Sequence, residues 1–292
     1  MDRCRLIVNP AAGGGRAGRL LPVVERTLAS LGVDATTEPT TGLDHARELA
    51  RTAAAAGELA IAMGGDGLIG AVAGALAEHP GSRLAVVPGG RGNDFARVLD
   101  IPTDPEQACA LIPDGTFRYL DLGSVDGRWF ACIASVGFDS DANRIANEAP
   151  SRLGGLVYAY GALRALASWK PATFRVVVDG DERSFRGYSV IAANTRCYGG
   201  GMCIAPDAAV DDGQLDVVLT EHIGRLRFLA KMPRVFKGTH VDEPTVHVLR
   251  GREVEISADR PFTIYADGDP IGELPVTVRA VPHAVRVLVG SP

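Results

Sequence analysis

The sequence predicts an α/β amino-terminal domain, doubly wound, followed by a mostly antiparallel β-sandwich. Two observations predict the first part. Short unbroken apolar runs alternate with helical patterns up to about residue 120, and glycine-rich loops follow the runs. The third observation is a change of texture after that point. Short Val- and Ile-rich or alternating segments then follow one another, separated by turn signals such as Asp179-Gly180, Asp212-Gly213 and Asp267-Gly268. The division expected is 1–122 and 123–292, with the last strands free to return to the first domain.

The chain is organised around residues 58–76. Leu59–Met63 is an unbroken apolar run, as in a strand buried on both faces. Gly64-Gly65-Asp66-Gly67 follows, and Leu68, Ile69, Val72 and Leu76 then recur at helical spacing among alanines. The stretch therefore reads strand, glycine turn, helix. Glycines let backbone N–H groups approach an anion, and the helix N-terminus favours negative charge. Asp66 would repel phosphates unless it holds a metal ion or takes a proton from a nucleophile. The alternative is a tight turn with Asp as a helix cap, and on these residues alone both stay open.

The other elements follow in order. Arg5–Val8 is a strand leading into Asn9-Pro10-Ala11-Ala12-Gly13-Gly14-Gly15, and Leu20–Leu31 is a helix. Ala35–Glu38 is a short strand and Asp44–Ala56 an alanine-rich helix. Arg83–Val87 is a buried strand ending in Pro88-Gly89-Gly90-Arg91-Gly92-Asn93-Asp94, with a helix from Asp94 or Phe95. In such sheets ligands bind at the carboxyl ends of the strands, where three glycine loops would converge. Further strands are expected at Phe130–Val136, Phe174–Asp179, Tyr188–Ala193, Leu215–Thr220, Val246–Leu249, Val254–Ser257, Phe262–Ala266, Val276–Ala280 and Val285–Val289. Helical inserts are expected near Leu153–Ser168 and Arg225–Phe236. In the second, Arg225, Arg227, Lys231, Arg234 and Lys237 interleave with Phe228, Leu229, Met232 and Phe236. A core-packed helix with a solvated basic face is preferred there to an interfacial one.

Composition narrows the function. Of 292 residues, 46% are hydrophobic and 22% charged, and the net charge of −5 argues against a nucleic-acid partner. No run reaches the roughly 20 apolar residues of a membrane span. The start, MDRCRLIVNP, has no signal-peptide pattern. Five cysteines without a CxxC suggest free thiols in a reducing cytoplasm, and six scattered histidines lack zinc-ligand spacing.

VNPAAGGG, MGGDGLIGAVAGAL, VVPGGRGNDFAR, IAPDAAVDDGQLDV and YADGDP occur in this order. Together they resemble the bacterial diacylglycerol kinases, a family that includes sphingoid and ceramide kinases, over essentially the whole chain. The resemblance implies an α/β domain like that of phosphofructokinase and NAD kinase, then a β-sandwich, with ATP in the cleft between. It implies that Asn9, Pro10, Ala11, Ala12, Gly13 and Thr40, or else Thr41, line the nucleotide site. Gly64, Gly65, Asp66, Gly67, Leu68, Ile69, Gly70 and Ala71 would wrap the phosphates, with Asp66 linked to a catalytic Mg²⁺. Arg91, Asn93 and Asp94 belong to the loop after the fourth strand. A structural Mg²⁺ would be held by Asp212 and the carbonyls of Ala209 and Gln214. In Asp267-Gly268-Asp269, which on its residues alone reads as a hairpin turn, the closing acid would accept a proton. Asp269 is preferred to Asp66 for that role.

Leu68, Gly70 and Arg91 stand where the family usually has Thr, Asn and Thr, and Asp269 replaces its Glu. Arg91 can pair with a phosphate in place of the lost hydroxyl. The activity implied is Mg²⁺- and ATP-dependent phosphorylation of a lipid hydroxyl, most simply that of diacylglycerol. Other lipid acceptors and a non-catalytic nucleotide- or lipid-binding module are the alternatives. The resemblance also implies a cytoplasmic protein acting peripherally at the inner membrane face, and it leaves a homodimer open.

Overall fold

Strands that read as buried on both faces form a parallel sheet. β1 (Cys4–Val8), β2 (Ala35–Pro39), β3 (Leu59–Gly64) and β4 (Arg83–Pro88) lie in the order β2-β1-β3-β4. Val8 stands opposite both Pro39 and Met63, and Gly64 opposite Pro88, so the chain leaves all four strands at one edge. The computed structural model describes residues 3–149 and 157–290. It divides into two units, of which the first is Met1–Leu122, Trp129–Ala131 and Pro282–Pro292.

Helices α1 (Ala12–Ser30), α2 (Leu43–Ala55) and α3 (Asp66–Ala77) alternate with these strands. α4 (Asp94–Val98) and α5 (Pro105–Asp114) follow β4. Strand alternation divides the core. Leu6, Val8, Ile61, Met63, Ala85 and Val87 meet Ala17, Val24 and Leu28 of α1 and Cys109 of α5. Ile7, Ala60, Ala62, Leu84 and Val86 take the other face, where α2 and α3 pack. All of α3 from Leu68 to Leu76 is buried. A Cβ on its Gly74 would lie 2.3 Å from Trp129 Cβ, so glycine alone fits there. The sequence reading passed over α5, although its start is spelled locally: Asp104 accepts the Gln107 N–H at 3.0 Å and Pro105 takes the first helical position.

The second unit is Gly123–Arg128 and Cys132–Val281. β5 (Thr116–Val125) and β6 (Arg128–Phe130) precede β7 (Ile133–Gly137), β8 (Ala172–Val178), β9 (Asp181–Ala193) and β10 (Leu215–Glu221). β11 (Val246–Gly251), β12 (Glu253–Ala258), β13 (Thr263–Ala266), β14 (Asp269–Glu273) and β15 (Val276–Val289) complete the strands. The sandwich pairs antiparallel, through β14-β13-β7-β9-β8-β12-β15 and through β9-β10-β11. The first half of β9 forms a hairpin with β8, and the second half pairs both β7 and β10. One long strand thus pairs with three others. Phe130–Val136 was expected as one strand and is divided between β6 and β7. Two expected strands merge into β15, which passes Pro282 with His283 at φ 50° and the His283 N–H donated to Asp121 at 2.7 Å.

Three hairpins of the chain use one device. Asp126-Gly127, Asp179-Gly180 and Asp267-Gly268 all have positive φ at both residues, as a type I′ turn requires. Each Asp also ties its turn to a neighbouring strand. Asp126 accepts from Thr277 N at 3.0 Å, Asp179 from Arg252 N and Glu253 N, and Asp267 from Cys132 N at 2.8 Å and Ile133 N at 3.2 Å.

The helical inserts are α6 (Phe138–Glu148), α7 (Val157–Ser168) and α8 (Arg225–Val235). α6 was not expected, and residues 153–156 of the expected Leu153–Ser168 insert lie outside the described residues. The core-packed reading of α8 needs correction, because none of its residues is buried. An amphipathic pattern records that a helix has two faces, not what covers the apolar one. Among the described residues no helix is long and apolar enough to cross a membrane.

Candidate functional site

The three glycine loops meet at the carboxyl edge of the first unit's sheet, and they meet backbone to backbone. Gly89 N donates to Gly64 O at 2.8 Å. A Cβ on Gly90 would lie 2.5 Å from Gly65 Cα, and one on Gly13 would lie 2.7 Å from Gly89 O. No other residue fits such approaches. Asn9 and Asn93 brace the loops: Asn9 Oδ1 accepts from Ala11 N at 3.1 Å, and Asn93 Oδ1 from Gly90 N at 2.8 Å. Thr40 N donates to Val8 O at 2.7 Å, which brings the end of β2 beside the loop of Asn9, Pro10 and Ala11. Thr41 turns to His45 instead, at 3.3 Å.

Arginines surround these loops in a chain of net charge −5. Arg97 Nε donates to Gly92 O at 3.0 Å, Arg19 Nη1 to Gly14 O at 3.4 Å, and Arg16 Nη1 lies 3.5 Å from Gly90 O. Arg91 is exposed. The sequence reading named only Arg91. The signal for Arg16 was its place directly after Gly13-Gly14-Gly15. Glycine loops at a helix start, ringed by guanidinium groups, suit a polyphosphate.

Asp66, at the first position of α3, is half-buried. Its Oδ1 accepts the Phe95 N–H at 3.0 Å. Burial pushes its carboxyl up from the ordinary carboxylate value, and the N–H groups of Phe95, Asp94, Asp66 itself and Asn93 pull it back. Asp66 is thus a brace between two loops as well as a charge. Leu68 is buried, and a Cβ on Gly64 would lie 2.6 Å from its Cδ2, so its side chain packs on β3. Ile69, Gly70 and Ala71 are buried too. What this turn offers a ligand is backbone. α3 has no side-chain cap, so the amides of its first turn are donors for an anion. Asn93 and Asp94 are each 2% exposed.

In the second unit, Asp269 is exposed at the start of β14, presented by the Asp267-Gly268 turn. The Asp267 carboxylate, also a catalytic candidate in the sequence, accepts from Cys132 N and Ile133 N, which ties the turn to the start of β7. Asp212 Oδ1 accepts from Gln214 N at 3.0 Å, and its Oδ2 lies 3.5 Å from Arg250 Nη2. Arg250 also reaches Asp216 Oδ1 at 3.1 Å and Asp207 O at 2.8 Å. Burial pushes Asp216 up, Arg250 pulls it back, and the carboxylates of Asp212 and Asp207 push it up again. One guanidinium therefore pairs with two carboxylates and one backbone carbonyl.

A carboxylate that the sequence reading missed is Asp139, on α6. It accepts from Tyr198 Oη at 3.1 Å, and burial holds its carboxyl above the ordinary value against its bonds to Ser189 and Tyr198. No local pattern marks it, since its partners come from β9 and a distant loop.

Residues 3–125 match the family model of the diacylglycerol kinase catalytic domain, and residues 132–289 that of the YegS C-terminal NAD kinase beta sandwich-like domain. A diacylglycerol kinase of Mycobacterium tuberculosis is 34% identical over 292 residues, which cover 97% of this chain and 93% of that protein. The crystal structure of a diacylglycerol kinase from Bacillus anthracis superposes with a TM-score of 0.76 at 20% identity, covering 99% of this chain and 97% of that one. Yeast NADH kinase, solved with NADH, shares the fold more distantly, with a TM-score of 0.52 at 9% identity over 100% of this chain and 84% of that one. With both domain models matched in sequence, and a full-length relative at this level of identity, the chain belongs to the diacylglycerol kinase family of lipid kinases.

Proposed function

We propose that the protein transfers the γ-phosphoryl group of ATP to the primary hydroxyl of diacylglycerol, giving phosphatidic acid, with Mg²⁺ bound beside the nucleotide. The observation that carries this reading is the backbone contact of the three glycine loops around one carboxylate, Asp66. Loop amides and the first turn of α3 hold the phosphates, joined by Arg16 and Arg91, while Asn9, Pro10, Ala11 and Thr40 line the nucleotide. The donor chemistry fits the metal: Mg²⁺ is commonly held through one carboxylate, water and substrate phosphates, and Asp66 is the residue for it. When bound, the ion neutralises phosphate charge.

The lipid oxygen forms a bond to the γ-phosphorus as the bond from phosphorus to the β,γ-bridging oxygen breaks. ADP leaves, and the hydroxyl proton passes to Asp269. At Asp212 the ligands implied by the family resemblance are all oxygens, the Asp212 carboxylate and the carbonyls of Ala209 and Gln214, and Arg250 pairs with Asp212 and Asp216 there. Oxygen ligands suit a hard cation, which would have to compete with Arg250 for Asp212. Labelled ATP tested against diacylglycerol, ceramide, sphingosine and monoacylglycerol in mixed micelles checks the reading. Diacylglycerol is expected to be labelled in a Mg²⁺-dependent way, and labelling of none of the four would sink it.

A further inference from the structure

α8 is anchored on one side and bare on the other. Phe228 stacks on Tyr188 with ring centroids 4.1 Å apart and meets Phe138 edge-on at 4.9 Å. Arg225 donates to Trp169 O at 2.8 Å, and Lys231 and Arg234 pair with Glu243. These contacts fix which face looks outward. That face carries Leu226, 84% exposed, and Leu229, 39% exposed, and Phe236, which caps the helix, is 58% exposed. Ala230 and Pro233 are exposed at helical spacing between them. Arg227 and Lys237 are exposed beside this apolar stripe. Residues 225–237 hold five cations and no acidic residue, in a chain of net charge −5.

An apolar stripe flanked by cations is the pattern of a helix lying in a membrane interface. Core packing does not explain it, since the stripe faces outward. A second copy of the chain is a poor occupant, because a two-fold contact sets the same cations against each other. An anionic bilayer complements both the apolar residues and the charge. We propose that the outer face of α8 docks on an anionic lipid surface. Leu226, Leu229 and Phe236 enter the boundary between headgroups and acyl chains, and Arg227 and Lys237 meet lipid phosphates. The proposal deepens the lipid-kinase reading and rests on it, since a lipid acceptor is met at its bilayer.

The test is co-sedimentation of the full-length protein, without nucleotide, with vesicles of phosphatidylcholine alone or with phosphatidylglycerol added. Wild type is expected to bind the anionic vesicles, less so at high salt, and to ignore the neutral ones. Leu226→Ser with Phe236→Ser should weaken binding roughly tenfold or more, and Arg227→Glu about fivefold or more. Each variant should melt as wild type does, since the side chains are exposed. Wild type that ignores anionic vesicles, or variants that bind them as well as wild type, overturns the proposal. Unchanged vesicle binding with an altered oligomeric mass also overturns it and assigns the face to self-association. Phosphorylation of a short-chain diacylglycerol dispersed in water separates the two readings. Vesicle binding without any phosphorylation upholds the surface and removes the acceptor. Phosphorylation without vesicle binding does the reverse.

Discussion

Asp66 Oδ1 accepts the backbone N–H of Phe95 at 3.0 Å across 29 residues of sequence. This bond joins the start of α3 to the start of α4 and so fixes the two glycine loops that precede them. A carboxylate that serves a bound cation would thereby be held in place by the loops it serves.

Asp66→Asn keeps an oxygen for Phe95 and removes the charge. Turnover with ATP and diacylglycerol should fall about 10²–10⁴-fold. The melting temperature should hold or rise, because burial opposes the charged form. Asp66→Ala should lose both activity and stability. Near-normal turnover in the Asn variant would remove the charge from the mechanism.

Gly90→Ala would place a Cβ 2.5 Å from Gly65 Cα and 3.1 Å from Gly65 N. The loops must part, at a cost of about 1–3 kcal/mol, and nucleotide affinity should fall with stability. Gly42→Ala is the comparison, since nothing lies within 4 Å of a Cβ there and the backbone is extended. Calorimetry with ATP should find the second variant unchanged; equal behaviour of the two would argue against a glycine requirement.

Asp269 and Asp267 should separate. Asp269→Asn is expected to cost about 10²–10⁴-fold in turnover with nucleotide affinity and melting unchanged. Asp267→Ala leaves Cys132 N and Ile133 N without their acceptor and should cost about 1–3 kcal/mol of stability. An active Asp269→Asn enzyme would shift the base to Asp66.

At the acidic cluster, Mg²⁺ should raise the melting temperature of wild type and not of Asp212→Ala, whose melting temperature should itself be lower. Arg250→Met removes the cation between Asp212 and Asp216 and should increase the Mg²⁺ dependence. Identical melts of wild type with and without Mg²⁺ would count against a structural ion.

Asp139 makes a pH prediction. Its folded-state carboxyl is held above the unfolded value by burial, so the folded protein binds the proton more tightly. The stability this gives is present at acid pH and is lost as pH rises through the folded value. Asp139→Asn should match wild type at the acid end and melt higher at neutral pH. A difference that does not change with pH would show that Asp139 does not titrate.

The sequence by itself determined the order of elements from β1 to β4 and the glycine loops at the carboxyl ends of the strands, because strand period, helix period and glycine turns are local properties. The site residues proposed came with the family's motifs, as what the resemblance implies. Only tertiary structure decided which partners those residues have. Asp66 meets Phe95, Asp212 meets Arg250, and Asp267 meets Cys132 through approaches between segments far apart in the chain. The Leu68 side chain packs on β3 and leaves its backbone for a ligand, because burial depends on what lies across from a side chain. α8 looked core-packed by pattern and stands exposed, since a local periodicity fixes two faces of a helix and leaves to the rest of the fold what covers each.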